Sequence, residues 1–168
     1  FWKYCDPSHP KYVEGNEFEN VFRDYYRAVD ARIGELLSTA GNSTTVFIVS
    51  DHGAKAMRGG LRLNQWLINE GYLRLAAPAA PGTRFEDCEI DWSNTQAWSA
   101  GGYYARVFLN VAGREPQGCV QPKTYESLRD EIAEKVAAIC GPDGVLLRNK
   151  VLKPESIYRQ VNGIPPDL

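Results

Sequence analysis

Thr44-Thr45-Val46-Phe47-Ile48-Val49-Ser50 runs directly into Asp51-His52-Gly53. The first seven residues are β-branched, aromatic or hydroxylated and show no polar alternation, the pattern of a strand buried on both faces of a parallel sheet. In an open α/β sheet, ligands bind outside the carboxyl ends of the strands, where diverging loops let functional side chains converge. Asp51 and His52 stand at that position. An adjacent carboxylate and imidazole can ligate one divalent ion if the backbone bends after the strand, and Gly53 permits such a bend at no steric cost. Read alone, the tripeptide is equally a capping aspartate beside a surface histidine; the buried strand in front of it favours the metal corner.

Upstream, Phe18, Phe22, Tyr25, Val29, Ile33 and Leu36 recur at steps of four, three, four, four and three. This places all six on one face of a helix over about 17–39 that Gly41-Asn42 ends. Helix, turn and buried strand form an αβ unit. Residues 1–16 hold Asp6-Pro7, His9-Pro10 and Gly15-Asn16 and read as irregular. Asp6 and His9 have a D-x-x-H spacing that could bind metal, but the two prolines hold the stretch extended, so an Asp-Pro turn with a packing or exposed histidine is preferred.

Downstream, Lys55 and Arg58 follow the Asp-His pair closely enough to meet a phosphate oxygen through charge-assisted hydrogen bonds; solvated loop cations are the alternative. A short helix is predicted over about 63–69, a strand over 72–75, and a lobe crossing the surface over about 76–121, within which 96–100 and 103–111 form an antiparallel pair. Tyr125, Leu128, Ile132, Val136 and Ile139 mark a second amphipathic helix stopped by Gly141-Pro142. A strand over 145–152 and a helical turn over 154–158 complete the pattern. Arg114 and Glu115 are read as a local pair, and Trp66, Trp92 and Trp98 as packing residues.

The 168 residues carry 19 Lys plus Arg against 21 Asp plus Glu, a net charge of −2, with 43% hydrophobic residues. Such a chain can build a core, and it has no basic footprint for duplex nucleic acid or an anionic membrane. Its apolar runs fall far short of the roughly 20 residues that span a bilayer, and Phe1-Trp2-Lys3-Tyr4 has no signal-peptide character. Four scattered cysteines without a C-x-x-C pair suit buried or idle thiols in a reducing compartment, so a cytoplasmic location is expected. With two histidines in the chain, a complete two-metal cage, which needs several carboxylate and imidazole ligands, cannot be assembled from it.

The motifs Phe1-Trp2-Lys3-Tyr4, Asp6-Pro7 with His9-Pro10, Asp24-Tyr25-Tyr26, Val49-Ser50-Asp51-His52-Gly53, Gly101-Gly102-Tyr103-Tyr104-Ala105-Arg106, Gly113-Arg114-Glu115-Pro116-Gln117-Gly118 and Pro166-Asp167-Leu168, in that order, resemble the type I phosphodiesterase/nucleotide pyrophosphatase family of the alkaline phosphatase superfamily. The resemblance implies an alkaline-phosphatase-like α/β sandwich with two divalent ions, usually zinc and sometimes manganese. Asp51 and His52 match the pair that ligates the ion shared with a Thr or Ser nucleophile. The matching positions for that nucleophile and for the remaining ligands fall before Phe1 and after Leu168, so the chain is expected to be the central part of one catalytic domain, inactive alone. The implied reaction is hydrolysis of phosphodiester or nucleotide pyrophosphate bonds through a covalent phospho-enzyme, on a small phosphoester or nucleotide. Phosphomonoesterase, phosphonate hydrolase, sulfatase and phosphomutase chemistry share the same corner, and a non-catalytic binding module is the alternative from another class. A sheet cut from its neighbours also predicts self-association through exposed edges.

Overall fold

A computed structural model describes residues 1–57 and 59–168. The chain divides into two compact units, Phe1–Leu61 and Arg62–Leu168. Its regular structure is helical apart from one two-stranded antiparallel sheet. No helix among the described residues is long and apolar enough to cross a membrane.

The first unit contains α1 (Trp2–Cys5) and α2 (Val21–Ala40). Helix α2 begins later than the apolar spacing predicts. Asn16 Oδ1 accepts the Phe18 N–H at 3.0 Å, and this local side-chain bond holds residues 17–20 in turns rather than in the helical ladder. At the other end Gly41, with φ 76°, takes the chain out of the helix in a left-handed conformation that suits glycine. Phe22 is the packing point of the unit, its ring 4.9 Å from Tyr26, 5.8 Å from Trp2 and 6.0 Å from Phe1 between centroids. Even so, none of the described residues of this unit is buried.

The run 44–50 departs most from expectation. It is extended but forms no strand, because no segment among the described residues pairs with it; residues 45–50 make no backbone hydrogen bond there. Val46, Phe47, Ile48 and Val49 are 51%, 83%, 96% and 86% exposed. A parallel strand depends wholly on neighbours brought from elsewhere in the sequence, so its composition alone cannot form it.

The second unit has a core. Helix α3 (Leu63–Asn69) buries Leu63 and Leu67, one turn apart, and α4 (Tyr125–Ala137) buries Arg129, Ile132 and Val136 on one face. Between them lie β1 (Ala97–Ala100) and β2 (Arg106–Leu109), paired antiparallel from Ala97 opposite Leu109 to Ala100 opposite Arg106. Ala97, Val107 and Leu109 enter the core with Tyr72 and Leu73, while Trp98 stacks on its cross-strand neighbour Phe108 at 5.5 Å. The predicted strands at 72–75 and 145–152 reduce to single bridges, Leu75 to Ile90 and Cys140 to Leu146, because each finds one partner residue instead of a continuous edge.

Both edges of this small sheet are closed. On β1, Ser99 exchanges two hydrogen bonds with the Asn64 side chain, at 2.7 and 2.9 Å, and Tyr72 O accepts the N–H groups of Gln96 and Ala97. On β2, Val107 pairs with the backbone of Asp167 and Leu168, Leu109 N–H donates to Asp167 Oδ2 at 2.6 Å, and Leu109 O accepts from Arg114 Nη2. An amide and a carboxylate thus do what neighbouring strands would do.

Candidate functional site

Asp51 and His52 follow the extended run and are brought together. The bend lies at Asp51: its Oδ1 accepts the His52 N–H at 3.0 Å, and Ser50 Oγ donates to His52 O at 2.8 Å. Gly53, where the bend was expected, does not adopt a left-handed φ. The His52 ring meets the Gly53 carbonyl through Nδ1 at 2.9 Å, and Asp51 Oδ2 lies 3.4 Å from Nε2. Both side chains are largely exposed, at 88% and 79%.

The chemistry of this arrangement follows from the ring. A carbonyl has no proton to give, so Nδ1 is the donor to Gly53 O, and the neutral imidazole keeps its lone pair at Nε2. That lone pair and a carboxylate oxygen are two acceptors facing each other, a geometry that a cation between them stabilises. Zinc binds nitrogen and oxygen at about 2.0–2.2 Å, which makes the edge of its coordination tetrahedron about 3.4 Å. The observed separation equals that edge. Holding one ring nitrogen on a backbone carbonyl is also how metal-ligating histidines are oriented. The donor set fits a divalent ion in kind and spacing but supplies only two ligands: among the described residues no group of three or more His, Cys, Asp and Glu side chains could hold a metal.

Lys55 is exposed in the following loop. Arg58, assigned to the same role, lies outside the described residues. Asp6 and His9 do not form a second corner. Asp6 Oδ1 accepts the Ser8 N–H and His9 Nδ1 accepts the Lys11 N–H, so each closes a local turn, as the prolines suggested.

Arg114 pairs with Glu115 at 2.8 Å as expected, yet its main partner is one the sequence reading missed. Asp167, 3% exposed, accepts Arg114 Nη1 and Nη2 at 2.9 and 2.7 Å, the Tyr125 hydroxyl at 2.5 Å and the Leu109 N–H. Burial pushes the Asp167 carboxyl up, but these donors, led by Arg114, outweigh it and hold the group below its ordinary value. Burial, and then the bond to Asp167, raises Tyr125. The carboxylate is saturated with donors and joins the loop after β2, the start of α4 and the end of the chain, so its role is structural. The signal for it was a lone Asp after two prolines and an Arg in a Gly/Pro loop, 53 residues apart.

A family model described as Type I phosphodiesterase / nucleotide pyrophosphatase matches residues 4–166. No curated protein and no solved structure matches the chain.

Proposed function

The chain belongs to the type I phosphodiesterase/nucleotide pyrophosphatase family, a family of phosphodiester-type hydrolases that is usually metal-dependent, and on that premise we infer that its Asp51-His52 corner holds one divalent ion of a hydrolytic site. The observation that carries this reading is the 3.4 Å between Asp51 Oδ2 and a His52 Nε2 whose lone pair is left free by the Nδ1 bond to Gly53. Zinc, or manganese, bound there lowers the pKa of an attacking oxygen and neutralises charge on a phosphoryl group. Asp51 contributes the anionic oxygen and His52 the neutral nitrogen. Lys55 and Arg58 are assigned to the phosphate of a small phosphodiester or nucleotide substrate.

In this reading both units are parts of one alkaline-phosphatase-like α/β sandwich, with residues 76–121 inserted, and the protein works in the cytoplasm with its four thiols unpaired. Two ligands fall short of the three protein donors that a catalytic zinc takes, so the 168 residues hydrolyse nothing by themselves. Calorimetric titration with zinc tests the corner: weak binding is expected, and lost in the Asp51→Ala, His52→Ala double variant; binding unchanged in that variant overturns the assignment. A chromogenic phosphodiester assayed with added zinc or manganese should show no turnover. Turnover that disappears in the double variant would overturn the expected inactivity.

A further inference from the structure

The strongest unexplained feature is the run 44–50. From Gly41 to Ser50 there is no charged residue and no proline, the devices that natural proteins use to keep an exposed strand edge from pairing. Four consecutive apolar side chains face solvent, and the backbone donors and acceptors of 45–50 have no backbone partner among the described residues. Such a segment has the composition of a strand and lacks only an edge to join. The sheet of the second unit offers none: Asn64 and Tyr72 close β1, and Asp167, Leu168 and Arg114 close β2.

We propose that residues 44–50 pair with the same segment of a second copy of this chain, forming an antiparallel two-stranded ribbon across a two-fold axis. The antiparallel arrangement follows from symmetry, since a two-fold interface must present the same patch from both copies, and from the greater stability of antiparallel ladders. A bare two-stranded ribbon is marginal in water unless a helix covers it. Helix α2 supplies that cover, because Tyr25, Val29, Ile33 and Leu36 leave 37% to 70% of their surface exposed.

The area is sufficient. At about 60–120 Å² of apolar surface for each fully exposed side chain, these four residues and Val46 to Val49, on average about two-thirds exposed, bring roughly 300–650 Å² per copy. Interfaces are about 57% apolar, so the whole face comes to roughly 600–1,100 Å², against the ~800 Å² per partner of a stable complex. The pairing is independent of the metal corner and of the family's chemistry.

Sedimentation velocity of the 168-residue chain over about a hundredfold range of concentration tests the proposal. The expected result is a monomer–dimer equilibrium, with the amides of 45–50 gaining protection from hydrogen exchange as the dimer forms. Ile48→Lys should weaken association by at least about a hundredfold, since it removes a buried side chain from each copy and sets two charges in the ribbon. Val13→Lys, the same charge change at an exposed residue of the same unit outside the run, should leave the equilibrium unchanged. Because Ile48 is almost fully exposed in the single chain, its substitution leaves the monomer's fold intact, which far-ultraviolet circular dichroism checks. A strict monomer, a dimer that forms without protecting 45–50, or a dimer untouched by Ile48→Lys overturns the proposal; so does growth beyond two copies.

Discussion

The two units handle the same problem in opposite ways. Residues 1–61 hold the longest helix and the most β-prone run, and none of their described residues is buried; residues 62–168 hold shorter elements and bury Leu67, Leu109 and Ile132 completely. The difference lies in partners rather than in propensity. The stripe on α2 is as regular as that on α4, but α4 meets β1, β2 and α3 while the run 44–50 meets no strand. Likewise, the strand edges of the second unit end on side chains able to replace a neighbouring strand, and the first unit has no such side chains near its run. Local pattern selects the conformation and the face to be buried; whether that face is buried depends on what the topology brings to it.

Substitutions in the full chain, followed by denaturant titration with fluorescence from the tryptophans of the second unit, can sharpen or break this contrast. The largest effect is expected at Asp167. Replacing it with alanine leaves Arg114 short of its main partner and the Leu109 N–H without one, and should cost about 3–5 kcal/mol. If that cost is below about 1 kcal/mol, the closed edge of β2 is not what holds the second unit.

Leu67→Ala, at a fully buried position, should cost about 2–5 kcal/mol, whereas Leu36→Ala on the exposed stripe of α2 should stay within about 0.5 kcal/mol when measured well below the concentration at which copies associate. Comparable losses at the two sites would show that α2 is packed in solution. Asn64→Ala removes both side-chain bonds to Ser99 and should cost about 1–3 kcal/mol, the penalty for leaving a strand edge unsatisfied.

The smallest effect concerns pH. Asp167 is held low in the folded protein, so between its folded value and about 4 the unfolded chain binds the extra proton. Its stabilisation is therefore complete above about pH 4 and lost as the pH falls through the folded value. Stability should drop across that acid window, and Asp167→Asn should flatten the drop while lowering stability at neutral pH.

Much was legible before any coordinates. The step pattern of Leu63 to Asn69 and of Tyr125 onward gave α3 and α4 nearly to the residue, and the glycine pair between two β-prone runs gave the hairpin of β1 and β2, because all three depend on contacts close in sequence. The strand predicted over 44–50 failed for the converse reason. The metal corner was legible as a pair of neighbours, Asp51 and His52, whereas the Nδ1 bond that leaves Nε2 free was not, since a ring's orientation is not written in residue order.

The sequence by itself determined the helices, the hairpin, the family and the two adjacent side chains able to share an ion, since each rests on periodicity or on motifs read along the chain. Only the tertiary structure decided that Asn64, Arg114 and Asp167 close a sheet and that the run 44–50 stays open. Edge closure needs groups far apart in the chain to meet, Asn64 with Ser99 and Arg114 with Asp167, and a one-dimensional pattern carries no distance between them.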